Sequence, residues 1–273
     1  MTFGPIVSAE WLREHLDDPN LRIVDFRWYL LGGPGKDAYE RGHIPGAVFV
    51  DLAVLSGTKG GGRHPLPTAT QFEGEMQRAG ISAATRVVTY DDASGSVASR
   101  LWFLLRWFGH EAQAVLDGGI AAWGKLLTTE VPNVAHGSFK SMEPDATRIL
   151  DFDEVRKLTG APLLDARAGE RYRGEKEPVD PKAGHIPGAL SAPWSENLRA
   201  DGTFKSPEEL RERFAGLGAG TERGAVVYCG SGVNATHDLL AMEIAGLKNG
   251  RLYAGSWSDW SSRDLPIATG PNP

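Results

Sequence analysis

The chain has 273 residues, of which 41% are hydrophobic and 23% are charged, proportions that are typical of a folded globular protein and exclude wholesale disorder. Acidic residues outnumber basic residues by 35 to 29, and the formal net charge of −6 argues against a nucleic-acid or anionic-membrane partner held by bulk charge. The single cysteine, Cys229, excludes an internal disulfide and a cysteine-based zinc cluster.

The N-terminal segment MTFGPIVSAEWLREHLDD lacks the basic region followed by an apolar region that is typical of a secretory signal. No apolar run approaches the about 18 residues that a membrane-spanning helix needs, since the best candidate, residues 101–108, contains Arg106. The single cysteine also fits a reducing compartment. These features predict a soluble, cytoplasmic protein without a membrane partner.

The sequence repeats itself after about 140 residues. The string GHIPGA occupies residues 42–47 and again residues 184–189. Three further segments recur at nearly the same spacing: residues 23–27 resemble 163–167, residues 87–91 resemble 225–229, and residues 116–120 resemble 253–257. Loop insertions explain the small changes in spacing, so the sequence predicts a tandem duplication of one domain.

In the second copy, short apolar runs alternate with longer amphipathic segments. The apolar runs predict buried strands over residues 162–166, 189–192, 225–228 and 251–253. Capping-box patterns that start at Asp151 and Ser206 indicate the beginnings of two helices, and an apolar stripe over residues 234–248 predicts a third helix. This alternation predicts an α/β fold in which each domain has a central parallel sheet flanked by helices.

The region between the copies, residues 131–147, has no clear periodicity and carries two prolines and a glycine. We therefore divide the chain into an N-terminal domain of residues 1–132, a linker of residues 133–147 and a C-terminal domain of residues 148–273. No phosphate loop, nucleophile elbow or His-Glu-x-x-His motif occurs in the sequence, and we expect no metal and no organic cofactor.

Cys229 ends a predicted strand and precedes a predicted helix. The loop between them consists of Gly230, Ser231, Gly232, Val233 and Asn234. In a tight strand–loop–helix connection, backbone N–H groups point inward and the helix N-terminus adds positive potential, which favours a nucleophilic thiolate. A lone cysteine after a strand is also compatible with a small buried hydrophobic residue. The glycine-rich loop favours the nucleophile.

The duplicated GHIPGA, the Asp-x-Arg motif of Asp165 and Arg167, and the Cys-Gly-Ser-Gly-Val loop together resemble the two-domain rhodanese-like sulfurtransferases over nearly the whole chain. The resemblance implies that only the C-terminal domain carries the nucleophile. Asp91 stands at the position that matches Cys229, so the first domain is expected to be inactive. In this family the cysteine accepts a sulfane sulfur as a persulfide and passes it to a thiol, either small or on a thioredoxin-like protein, or to cyanide.

The same resemblance indicates the sulfur donor, a small anion. Members that favour thiosulfate carry basic residues just after the cysteine, whereas Cys-Gly-Ser-Gly-Val resembles the branch that uses 3-mercaptopyruvate. Arg167 and Arg173 match the carboxylate-binding arginines of that branch, and a planar guanidinium suits a planar α-keto carboxylate. The alternative is that both arginines only form ion pairs with neighbouring acids, namely Asp165, Glu170 or Glu175.

Further site residues follow from the loop chemistry and the resemblance. We expect the Ser231 hydroxyl to stabilise charge on the leaving group. The N–H groups expected to hold the persulfide belong to Gly230, Gly232, Val233 and Asn234. The resemblance places His64 near the active centre, although a solvated loop histidine fits equally well. The chain departs from the family pattern at two positions. Asn234 stands where threonine is more common. Ala53, two residues after Asp51, stands where related enzymes can carry an acid that acts with the loop serine, so the resemblance does not imply a catalytic relay through Ser231 here.

Three other functions remain open at this point. One is a thiosulfate:cyanide sulfurtransferase, and another is a non-catalytic rhodanese-like interaction module, which an inert Cys229 would favour. A cysteine phosphatase is disfavoured because its signature requires an arginine six positions after the nucleophile, where this chain has Ala235.

Overall fold

The computed structural model describes residues 3–220, 222 and 224–273. The chain forms two compact units. The first unit contains the chain up to Gly57, Pro67–Pro144 and Asp201–Thr203, and the second contains Thr58–Leu66, Asp145–Ala200 and Phe204–Pro273. No helix among the described residues has the length and apolar character required to cross a bilayer.

The first unit is a five-stranded parallel sheet with helices around it. Its strands are β1 (Ile6–Val7), β2 (Leu21–Asp25), β3 (Val48–Phe49), β4 (Arg86–Tyr90) and β5 (Gln113–Leu116), in the order β1-β5-β4-β2-β3. Its helices are α1 (Ala9–Glu14), α2 (Gly35–Arg41), α3 (Ala69–Arg78), α4 (Ala98–Trp107) and α5 (Gly119–Trp123).

The second unit repeats this topology. Its strands are β6 (Ile149–Leu150), β7 (Leu163–Asp165), β8 (Ala189–Ser191), β9 (Ala225–Tyr228) and β10 (Gly250–Tyr253), in the order β6-β10-β9-β7-β8, and all are parallel. Its α-helices are α6 (Phe152–Arg156), α7 (Gly169–Tyr172), α8 (Pro207–Gly216), α9 (Ala235–Ile244) and α10 (Ser256–Trp260). The predicted α/β duplication is confirmed, and capping boxes begin α6 at Asp151 and α8 at Ser206.

The repeated GHIPGA segments form turns with buried histidines in both units. The ring nitrogens of His185 lie 2.8 Å from the Tyr172 carbonyl oxygen and 3.1 Å from the Asn272 carbonyl oxygen. The Tyr228 hydroxyl, at the end of β9, accepts the Ile186 N–H at 3.2 Å. The first unit repeats these bonds around His43. The segment therefore ties the turn before β8 to the centre of the sheet, and its histidines serve that turn.

A short glycine-rich segment, Thr58–Leu66, packs with the second unit although the sequence division placed it in the N-terminal domain. The Arg63 N–H donates to the Ser258 hydroxyl at 3.1 Å. A β-carbon on Gly61 would lie 2.1 Å from an Asp259 carboxylate oxygen, and one on Gly62 would lie 2.3 Å from the Gly255 carbonyl oxygen. Glycine is therefore required for this close approach, which composition alone does not reveal.

Buried polar groups lie on α9, the helix that follows the cysteine loop, and on the segment packed against it. The Asn197 amide donates to the Asp238 carboxylate at 2.6 Å and lies 3.1 Å from the Nδ1 of His237. All three residues are buried. Burial raises the pKa of Asp238 to about 7, although the nearby Arg213 charge and the Asn197 hydrogen bond lower it.

Asp238 should make the second unit less stable as the pH rises from about 4 to 7. A carboxyl whose pKa is higher in the folded than in the unfolded chain contributes its full stability below the unfolded pKa and loses it as pH rises through the folded pKa. We expect Asp238→Asn, which stays neutral, to flatten this fall in the unfolding free energy, measured by urea denaturation at several pH values. The exposed Asp264→Asn is the control. An unchanged pH dependence in Asp238→Asn would contradict the assignment.

Candidate active site

Cys229 lies directly after β9, whose residues are all buried, at the edge of the sheet where the parallel strands end. This edge is the usual position of ligand sites in α/β folds. The cysteine is 2% exposed. Gly232 in the following loop has a φ of +76°, and a β-carbon there would lie 2.5 Å from the Ala254 carbonyl oxygen. Only glycine allows the loop to wind this tightly.

The first turn of α10 holds the cysteine backbone in place. The Cys229 N–H donates to the Ser256 hydroxyl at 3.1 Å. The Cys229 carbonyl accepts the Trp257 N–H at 2.9 Å, and the Gly230 carbonyl accepts the Ser258 N–H at 2.9 Å. Three consecutive residues of one helix thus fix the backbone from which the Cys229 side chain projects.

In the first unit, the loop equivalent to the cysteine loop binds the carboxylate of Asp91 through its backbone N–H groups. Its buried carboxylate accepts four backbone N–H groups at 2.7–2.9 Å, from Ala93, Gly95, Val97 and Ala98. Burial raises the pKa of Asp91, and the four N–H groups oppose that shift. The loop of this fold therefore offers inward N–H groups to a negative charge at this position, and in the first unit an acidic side chain occupies them.

Ser231 and His64 are brought together although they lie far apart in sequence. The His64 Nδ1 is 2.9 Å from the Ser231 hydroxyl oxygen, and Ser231 is largely buried. The segment Thr58–Leu66 carries the histidine to the second unit. Asp51 belongs to the first unit, where its carboxylate accepts the Ala53 N–H at 2.9 Å.

Arg167 has its guanidinium enclosed in the second unit. It is 3% exposed, and it donates to the Asp165 carboxylate at 2.6–3.1 Å and to the Gly184 carbonyl at 2.6 Å. Its guanidinium also stacks on the Trp257 ring at 4.6 Å. Arg27 of the first unit makes the same bonds to its own Asp-x-Arg aspartate and to the glycine of GHIPGA. An arrangement that both units share, with or without a cysteine, supports the fold.

Arg173 also pairs with an acid rather than with the cysteine loop. Its side chain is 39% exposed and donates to the Glu175 carboxylate at 2.7 Å and 2.8 Å. The ion-pair alternative considered for Arg167 and Arg173 is thus the arrangement found, and their part in donor binding stays a prediction.

Two other arginines, Arg63 and Arg171, lie over the cysteine loop. A β-carbon built on Gly230 would be 2.9 Å from the Arg63 Nη2 and 3.4 Å from the Arg171 Nη1. Sequence reasoning missed both. Arg171 and Arg173 are two positions apart on and just after α7, so they point in different directions. The signal for Arg63 was its place beside His64 in the glycine-rich segment.

Two buried acids hold these guanidiniums. Asp180 pairs with Arg63 through one oxygen and with Arg171 through the other, at 3.1 Å to the latter. Glu177 accepts from Arg171 at 2.6 Å. Burial raises the pKa of Asp180, and the Arg63 and Arg171 charges oppose that shift. Within the described residues there is no group of three or more His, Cys, Asp or Glu side chains that could hold a metal ion.

Replacing Arg167 should destabilise the second unit, because Asp165 would be left buried without its cation. We expect Arg167→Met to cost about 3–5 kcal/mol of unfolding free energy, measured by urea denaturation. Arg27→Met should do the same in the first unit, and Arg173→Met, on the surface, should leave the unfolding free energy nearly unchanged. A fully stable Arg167→Met variant that loses only activity would contradict the structural role.

Comparisons with known proteins agree with this geometry. A model of the rhodanese-like domain matches residues 8–126 and 151–263. The chain is 42% identical to a probable 3-mercaptopyruvate sulfurtransferase of Pseudomonas aeruginosa, over 99% of this chain and 100% of the relative. It is 39% identical to a putative thiosulfate sulfurtransferase of Mycobacterium tuberculosis, over 90% and 89%. The crystal structure of SseA from Escherichia coli, a 3-mercaptopyruvate sulfotransferase, has a TM-score of 0.82 and 34% identity over 93% of this chain and 99% of that structure.

Proposed function

We propose a donor and a reaction path for this chain, which belongs to the rhodanese-like family and is a sulfurtransferase. In this proposal, sulfur passes from 3-mercaptopyruvate to Cys229 and then to an external acceptor. The observation that carries the proposal is the position of Cys229 at the end of β9, directly before Gly230, over which the guanidiniums of Arg63 and Arg171 lie. Full-length similarity to a probable 3-mercaptopyruvate sulfurtransferase supports the donor.

The donor carboxylate binds to the two guanidiniums over Gly230. 3-Mercaptopyruvate presents a planar α-keto carboxylate, which matches the donor geometry of a guanidinium. Asp180 contacts both Arg63 and Arg171 and fixes their orientation before the donor arrives. The protein carries a net charge of −6, and Asp180 and Glu177 balance the two arginines, so direct hydrogen bonds from the guanidiniums hold the anion rather than the overall charge.

Sulfur transfer then requires a nucleophile and a place for developing charge. The Cys229 thiolate attacks the donor sulfur, the carbon–sulfur bond breaks, and its electron pair passes to the pyruvate enolate, which takes up a proton. The Ser231 hydroxyl donates to the developing enolate, and the contact of 2.9 Å with His64 orients that hydroxyl. In this path Ser231 works with His64 alone, since position 53 carries an alanine.

The persulfide is held by backbone N–H groups of the cysteine loop. The donors in this proposal belong to Gly230, Gly232, Val233 and Asn234. The support comes from the first unit, where four N–H groups of the equivalent loop bind the Asp91 carboxylate. In that unit the carboxylate occupies the position of the sulfur, so the first unit performs no thiol chemistry.

The acceptor comes from outside the chain. Cys229 is the only cysteine in the sequence, so no second thiol can take the sulfur within the molecule. A small thiol, a thioredoxin-like protein or cyanide fulfils this role. A nucleophile that must stay reduced fits a reducing compartment, and we place the reaction in the cytoplasm.

Thiosulfate is the second candidate donor. The loop after Cys229 lacks a basic side chain of its own, but Arg63 brings a guanidinium to Gly230 from another segment. A thiosulfate anion can use that charge, and the Mycobacterium tuberculosis relative is named a putative thiosulfate sulfurtransferase. The tetrahedral sulfonate matches a guanidinium fork less well than a planar carboxylate does.

Cys229 should carry one additional sulfur atom after incubation with 3-mercaptopyruvate. Intact-mass analysis should show this addition, and reduction with a thiol should remove it. Cys229→Ser, which keeps the shape of the side chain but replaces the thiol, should show neither the added sulfur nor turnover. Full sulfur transfer by Cys229→Ser would refute the proposed mechanism.

Substitution of Arg63 or Arg171 should lower kcat/KM to different extents for the two donors. We expect Arg63→Lys and Arg171→Lys each to lower kcat/KM for 3-mercaptopyruvate by about 10- to 150-fold, the equivalent of roughly 1.5–3 kcal/mol. The loss with thiosulfate should be smaller, because a lysine keeps the charge and loses only the planar fork.

Arg173→Lys is the matched control for these variants, since Arg173 lies two positions from Arg171 but pairs with Glu175. It should retain wild-type kcat/KM with both donors. The opposite result is also possible: Arg173→Lys loses activity while Arg63→Lys and Arg171→Lys do not. In that case Arg173 binds the donor, as the sequence predicts, and the proposal for Arg63 and Arg171 is wrong.

A further inference from the structure

Ser256, the first residue of α10, has an unusual backbone conformation for a serine. Its φ is 55°, and among the described residues only one other non-glycine position, Ser94, has a positive φ. The left-handed region favours glycine because a β-carbon crowds the backbone there. Ser256 is fully buried. Strained conformations of this kind persist where the surrounding structure enforces them, and they cluster at functional sites.

The first unit has a glycine at the same place in the fold. Gly119 begins α5 with a φ of 59°, just as Ser256 begins α10. The next N–H after each of them makes the same bond: Ile120 donates to the Asp91 carbonyl at 2.8 Å, and Trp257 donates to the Cys229 carbonyl at 2.9 Å. The fold therefore accepts an unstrained glycine here, and only the unit with the cysteine carries the strained serine.

The Ser256 hydroxyl makes contacts that a glycine cannot make. It accepts the Cys229 N–H at 3.1 Å and donates to the Tyr253 carbonyl at 2.9 Å. The hydroxyl thus ties the backbone of the cysteine to the end of β10. Without it, the buried Cys229 N–H loses this partner, and the peptide plane that sets the direction of the thiol loses one of its supports.

We propose that Ser256 is a positioning residue for Cys229: its hydroxyl fixes the cysteine backbone so that the Sγ atom faces the donor. The left-handed serine is retained in the second unit for this purpose. The inference rests on the proposed role of Cys229 as nucleophile. Small displacements of a reacting atom are costly in rate, so the loss of this bond should act on kcat more than on KM.

Two substitutions separate the hydroxyl from the backbone strain. Ser256→Ala removes the hydroxyl and keeps the β-carbon in the left-handed conformation, whereas Ser256→Gly removes both and restores the residue of the first unit. We expect both variants to load sulfur onto Cys229 about tenfold more slowly in a single turnover with 3-mercaptopyruvate, with little change in KM. The Tm of Ser256→Gly should nevertheless exceed that of Ser256→Ala, because glycine relieves the strain.

Hydrogen exchange of the Cys229 amide gives a readout that does not depend on the donor. Both variants should exchange this amide faster than the wild type, because its acceptor is gone. Ser94→Gly, which relieves the same kind of strain in the first unit, is the matched control and should load sulfur at the wild-type rate.

Three results would overturn the inference. The first is wild-type loading by Ser256→Gly, and the second is faster amide exchange with unchanged loading in both variants. The third is a loss of activity that follows the loss of Tm, with Ser256→Ala much slower than Ser256→Gly, as a purely structural role predicts. Failure of the proposed function is distinct and is seen earlier, because the wild-type chain would then take sulfur from neither 3-mercaptopyruvate nor thiosulfate.

Discussion

Hydrogen bonds hold the backbone of Cys229 at the end of the central strand of a parallel sheet, and the proposed chemistry depends on this arrangement. Buried strands bring the cysteine to this position, and consecutive residues of α10 bind its N–H, its carbonyl and the carbonyl of Gly230. A reactive thiol placed by backbone bonds moves little when side chains around it change. The loop can therefore be short and rich in glycine without losing the direction of the sulfur.

The two units share one frame, and they carry different side chains at the position of Cys229. The GHIPGA turn and the buried Asp-x-Arg ion pair occur in both units, because each supports the sheet. The differences lie where the sheet ends: Asp91 fills the anion position of the first unit, and Cys229 takes its place in the second. The residues that begin the neighbouring helices also differ. The first unit has Gly119, which is unstrained, whereas the second unit has Ser256, which is strained and binds the cysteine backbone.

The proposed donor site has a few charges that lie close together in an acidic protein. Arg63 and Arg171 meet over Gly230, and Asp180 holds both. Partly buried guanidiniums benefit from such partners, since desolvation of a lone cation is costly. The short segment Thr58–Leu66 supplies Arg63 and also His64, so one glycine-rich stretch brings to the second unit both a cation and the partner of Ser231.

Local signals in the amino-acid sequence were enough to predict the duplicated α/β frame and to indicate Cys229 and its loop as the candidate site, because apolar periodicity, capping boxes and the strand–loop–helix pattern are all readable over short segments. Which arginines lie over the cysteine loop depends on the tertiary structure. Arg167 is enclosed by Asp165 and Trp257, and Arg171 rather than Arg173 lies over Gly230. His64 contacts Ser231 across 167 positions of the chain. Such contacts arise from packing between segments that are distant in the chain, and the periodicity of the sequence does not predict them.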